Sequence, residues 1–250
     1  MKTAKLFVAV SVAALFVTGA AMAETAHKVI EHAHGASEHA HLLAETTDHL
    51  FDGLNHLIDH AHDMVEEAHE MAEAGDIAGG KDEMIDAVLA LKAAHEISEA
   101  IAVSAGSTHS YAEEAHKLAE EAVKINAAAL EKDKDDAHLK AAAAELAHAD
   151  KEAGHADEEA EVAQKAAEAA HAAAEAALKA AEAVASLDGE AAHKAIEAAH
   201  DAAEAADKAA WEAEHAVHDV DNSAEMAHDV ITDAHIVTQT VELIEMGEKH

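Results

Sequence analysis

The chain of 250 residues has no cysteine, no proline and no arginine, and aromatic side chains make up 2% of it. Without cysteine there can be no disulfide, no thiolate metal ligand, no cysteine nucleophile and no acyl-anchored lipoprotein. Without proline nothing in the chain enforces a helix break. The missing arginine removes the bidentate reader of phosphate and carboxylate, which argues against an enzyme acting on anionic substrates. Positive charge is scarce too: 16 lysines face 52 acids, for a formal net charge of -36. Nucleic acid and anionic lipid surfaces are therefore repelled, and cations are the natural partners. With so few large side chains, the chain can line only a thin core.

What is present begins with Lys2 and Lys5, an apolar run from Leu6 to Val17, and Ala21-Met22-Ala23. That order fits a signal peptide over 1–23 with cleavage after Ala23, and so export to a bacterial periplasm. No other stretch reaches the roughly 18 apolar residues a membrane span needs, so no membrane insertion is expected after cleavage.

The remainder is rich in alanine, glutamate and histidine, a composition of long helices. From 25 to 74 a coiled-coil step runs through Val29, Ala33, Ala36, Ala40, Leu43, Thr47, Leu50, Leu54, Leu57, Ala61, Met64, Ala68 and Met71. Breaks are expected at 75–80, 104–108, 133–136, 151–157 and 186–189, and before a capping box at Asn222 and Glu225. These predict an all-α fold, with six or seven long antiparallel helices in a bundle or coiled coil. Residues 24–131 form a histidine-rich region with a Leu/Ile/Val/Met seam; residues 132–250 form an alanine- and glutamate-rich region expected to pack more weakly.

The 24 histidines are patterned. Pairs seven apart recur at 27/34, 32/39, 34/41, 49/56, 62/69, 109/116, 148/155, 193/200 and 228/235. Six share the form His-x-x-x-Glu-x-x-His: His27-Glu31-His34, His34-Glu38-His41, His62-Glu66-His69, His109-Glu113-His116, His148-Glu152-His155 and His193-Glu197-His200. If the apolar step marks positions a and d, these histidines fall at b and the acids at f, on a face turned to solvent. Histidines seven apart stand about 10.5 Å apart along a helix, too far to share one ion, whereas an imidazole and a carboxylate three or four apart are neighbours. His56 and His60, at i and i+4, can chelate one ion directly, with Asp52 and Asp59 nearby. A lone histidine such as His95, His138 or His171 reads instead as polar filler, Met64 and Met71 as packing, and Trp211 as a packing anchor.

The stretches His60–Gly75 (HAHDMVEEAHEMAEAG), His109–Val123 (HSYAEEAHKLAEEAV) and His148–Glu159 (HADKEAGHADEE) resemble the small metal-binding protein family, periplasmic histidine-rich helical bundles associated with copper handling. The resemblance implies divalent metal binding, copper first, with nickel and zinc competing for imidazole. The chain departs from the family in its greater length and in the sparser histidines of its last hundred residues. The expected function is thus a non-enzymatic metal buffer or scavenger in the periplasm, with self-association through its helices. The alternative is a structural coiled-coil spacer of the envelope whose histidines supply pH-dependent charge, protonation relieving the acidic repulsion.

Overall fold

The structure, a computed structural model, describes residues 19–247. Of the expected signal peptide over 1–23, residues 1–18 lie outside the described residues; α1 begins at Gly19 and so runs across the expected cleavage point. Four helices make up the fold: α1 (Gly19–Glu73), α2 (Ile77–Lys132), α3 (Ala137–Val184) and α4 (Gly189–Gly247). Consecutive helices pack on each other and α4 closes on α1, while the diagonal pairs scarcely touch. This is an up-down-up-down four-helix bundle of helices about 80 Å long at 1.5 Å per residue. Among the described residues no helix is long and apolar enough to cross a membrane.

The helix count corrects the expected six or seven. Three of the expected breaks are real, and each has its own turn chemistry. Gly75, at φ +91°, reverses the chain after α1, and the Asp76 carboxylate caps α2 by accepting from the Gly79 amide. The Asp136 carboxylate caps α3 by accepting from the amides of His138 and Leu139, and Gly189, at φ +58°, opens α4. The other three breaks do not occur. Ser107, Thr108 and Ser110 turn their hydroxyls back onto the carbonyls four residues earlier, and Asn222 donates to His218 in the same way. Residues that favour caps and turns thus satisfy themselves on the helix, while the heptad continues through them. Around Gly154, α3 also runs on without interruption.

The core follows a strict heptad in every helix. In α1 it passes through Ala26, Ile30, Ala33, Ser37, Ala40, Ala44, Thr47, Phe51, Leu54, Ile58, Ala61, Val65, Ala68 and Ala72, all buried. The register corrects the sequence expectation by one column: the steps at 33, 40, 47, 54, 61 and 68 hold, but the other set is 30, 37, 44, 51, 58, 65 and 72. Leu43, Leu50, Leu57 and Met64 are only half-buried. They occupy position g and turn toward α2. The same count places His27, His34, His41, His62 and His69 at position e, turned toward α4, and Glu31, Glu38 and Glu66 at b. A helix in a bundle has two neighbours, and α1 presents a large apolar column to one and an imidazole column to the other.

Alanine dominates the core of α3, from Ala149 to Ala181, and large buried side chains are few: Phe51, Leu54, Ile58, Met84, Leu91, Ile101, Leu139, Leu146, Ile196 and Ile231 among them. Alanine lets helices approach closely, and Gly80 marks one extreme, where an added Cβ would sit 2.7 Å from the Ala68 carbonyl oxygen. Trp211 is exposed, its ring 4.0 Å from that of His215 and tilted 42° to it, rather than anchoring the core.

Candidate functional site

Position e is occupied by titratable side chains on both helices of two interfaces. Along α1/α4 the antiparallel pairing brings His27, His34 and His41 of α1 against His228 and His235 of α4. The rings alternate between helices: His27 to His235 at 4.8 Å between centroids, His235 to His34 at 5.7 Å, His34 to His228 at 4.8 Å, and His228 to His41 at 6.3 Å. Further along, His200 lies between His62, at 5.7 Å, and His69, at 5.0 Å. The two imidazole blocks are separated by Asp48, Asn55, Asp207, Glu214 and Asp221. Asp59 stands beside this acidic stretch, and its carboxyl is held above the usual range by burial and by the facing Asp207.

The exposed stripe expected from the sequence is therefore corrected. His27 is buried, and His34, His41, His62, His69, His109, His116, His193 and His200 are half-buried. Their partners in the repeat, Glu31, Glu38, Glu66, Glu113 and Glu197, remain on the outer face, and Glu113 pairs with Lys117 instead. His148 and His155 are exposed; Glu152 is buried and takes Lys151 at 2.5 Å and His148 at 3.6 Å. His56 and His60 lie exposed on the outer face of α1.

Several members of these seams stood outside the ligand set expected from the sequence. His228 and His235 carry the spacing of seven but have Thr232 where the repeat has glutamate. Asp150, Asp157 and Asp221 had no signal apart from their place in the heptad. His95 and His171, read as filler, meet across α2/α3 at 4.8 Å.

Hydrogen bonds fix the direction of several rings. Ser37 donates its hydroxyl to the His34 carbonyl, so its oxygen accepts from Nδ1 of His228 at 3.3 Å, and the Nε2 lone pair of His228 is left over. Ser98 repeats the arrangement on α2/α3, donating to the His95 carbonyl and accepting from His171 Nδ1 at 3.1 Å. Burial, reinforced by the neighbouring imidazoles, lowers the affinity of His228 and His235 for a proton. Burial raises the Asp221 carboxyl, and nearby His41 only partly offsets this.

Among the described residues, the buried side-chain atoms that lack a hydrogen-bond partner are Nδ1 of His27, His41 and His69 and Oδ1 of Asp150, Asp157 and Asp221. All six lie at position e of the two seams. His41 Nδ1 and Asp221 Oδ1 face each other at 3.6 Å, within ion-pair range but too far for a hydrogen bond. Two ligands bound at about 2.0–2.1 Å to a tetrahedral ion stand about 3.3 Å apart, close to such a spacing. No group of three or more histidine or acidic side chains gathers around one point among the described residues, so an ion here would have two protein ligands and complete its shell with water.

Compared with protein-family models, with curated proteins and with solved structures, the chain matches none.

Proposed function

We propose that this bundle binds and buffers divalent first-row metal ions in the cell envelope, copper first with nickel and zinc as competitors, through imidazole and carboxylate groups along its α1/α4 seam. The observation that supports this reading is the row of buried, unpartnered polar atoms at position e: a fold that leaves a polar atom buried and unpaired bears a cost of about 1–3 kcal/mol each unless something completes it. Imidazoles with a free nitrogen, opposed across two helices, are donors suited to such ions. Two protein ligands per ion favour high capacity and moderate affinity, as a buffer requires. The test is equilibrium dialysis of tag-free protein lacking residues 1–23 against copper, nickel and zinc, beside a variant with His34, His41 and His228 changed to Gln. The wild type should take up more ions per chain; equal uptake by the two would leave the carboxylate surface as the binder and overturn the reading.

The second reading, a structural bundle with titrating histidines, is favoured by one observation: burial among like groups already biases His228 and His235 toward neutrality. Its mark would be a pH-dependent stability with no dependence on metal.

A further inference from the structure

The α2/α3 seam differs from α1/α4 in pairing imidazole with carboxylate rather than imidazole with imidazole. Gln164 donates its amide NH2 to the Glu168 carboxylate at 3.0 Å, which turns its carbonyl oxygen toward His109. A carbonyl requires a donor, so Nδ1 of His109 carries the proton and donates to it at 2.7 Å. With Nδ1 engaged in this way, Nε2 is the ring nitrogen turned toward Asp157 Oδ1, 3.5 Å away, and when it carries no proton it presents a lone pair to an oxygen that is buried without a hydrogen-bond donor. Two lone pairs facing each other at this distance repel unless a proton or a metal cation lies between them. The other Asp157 oxygen is held by His116, whose Nδ1 donates to Oδ2 at 3.3 Å.

A backbone feature makes room for this arrangement. Gly154 sits in the interior of the alanine-rich α3, where glycine weakens a helix. An added Cβ there would lie 3.1 Å from His116 Nε2 and 3.2 Å from Cε1. The glycine leaves the space that lets the His116 ring lie against α3 and orient Asp157.

We infer that His109 Nε2 and Asp157 Oδ1 form a discrete binding site for one divalent ion that accepts mixed nitrogen and oxygen ligands, such as zinc or cobalt(II), with Gln164 and His116 orienting the two ligands. The site rests on the reading of the bundle as a metal binder, but it is separate from the α1/α4 seam and differs in donor chemistry. One rung along, His116 Nε2 faces the equally unpartnered Asp150 Oδ1 at 3.8 Å.

The experiment is a zinc titration of full-length, tag-free, metal-free protein at neutral pH, followed by nitrogen-15 NMR of the imidazoles. His109 should appear as the neutral Nδ1-protonated tautomer, and its Nε2 resonance should move as zinc is added. Asp157→Asn, with helicity checked by circular dichroism, should weaken zinc at this site at least tenfold, and Gln164→Leu, which frees the ring, should also weaken it. A His109 that is a doubly protonated imidazolium at neutral pH and does not respond to zinc would show that its contact with Asp157 is an ordinary ion pair, and would overturn the inference. If zinc still moves His34, His41 and His228 in that case, the α1/α4 reading survives; if it moves no seam histidine, both fall.

Discussion

Replacing glycine by alanine inside a helix normally stabilises a protein, and this bundle offers a pair of positions at which that rule should give different answers. Gly53, on the exposed side of α1, has open space where a Cβ would go. Gly53→Ala should therefore gain the full difference in helix propensity, about 1 kcal/mol. Gly154→Ala has the same intrinsic gain, but its Cβ would meet the His116 ring at 3.1 Å and push it away from α3. Losing the hydrogen bond from His116 to Asp157 costs about 1.5–3 kcal/mol where a charged partner is involved, reduced toward the low end because His116 is more than a third exposed. The net effect should be near zero or destabilising. For a chain of this size 1 kcal/mol corresponds to about 2–4 °C in Tm, so thermal melts followed by circular dichroism resolve the difference. Gly53→Ala should melt higher than wild type, and Gly154→Ala at or below it. A Gly154→Ala variant stabilised as much as Gly53→Ala would show that the glycine does not hold His116 in place.

The pH dependence has a definite sign. His228 and His235 bind a proton less readily in the folded state than when unfolded, so their contribution to stability is complete above about pH 6.5 and is lost as pH falls through their folded values. Protection of the α1 and α4 amides near these residues, measured against their intrinsic exchange rates at each pH, should thus fall on acidification, and His228→Gln with His235→Gln should abolish the change; protection that is unchanged or rises would contradict it. This is the reverse of the sequence expectation, in which protonation only relieves acidic repulsion. Phe51→Ala, at one of the few large buried side chains, should cost about 3–5 kcal/mol in urea unfolding. His56→Ala with His60→Ala should shift stability by no more than about 0.5 kcal/mol, because both rings are exposed, while removing whatever ion an i, i+4 pair on the outer face of α1 can chelate.

The sequence by itself determined that this protein is helical and that its histidines are ordered. A chain without proline, built on alanine, glutamate and a seven-residue repeat, has no low-energy alternative to long helices, and Gly75, Asp133–Asp136 and Ser186–Gly189 were legible as turns because each combines a capping residue with a loss of the repeat. The uninterrupted lengths of α2, α3 and α4 were not legible, since a serine or asparagine can cap a helix or bond back onto it, and only continuous packing on both sides selects the second. Nor could the sequence say which of two adjacent apolar columns in α1 forms the centre. Val29, Leu43, Leu50, Leu57 and Met64 make a column as apolar as the one that is actually buried, which includes Ser37, Ala44 and Ala72, and in a two-stranded coil they would form the seam. In the four-helix bundle the column at 30, 37, 44, 51, 58, 65 and 72 faces the centre and the column at 43, 50, 57 and 64 faces α2, and that one-column shift moved the histidines from open solvent into the interfaces. Periodicity in one helix fixes the spacing of a stripe but not its facing, because facing is a property of the neighbours; the pairing of His34 with His228 and of His109 with Asp157 existed only once α4 had closed on α1 and α3 on α2.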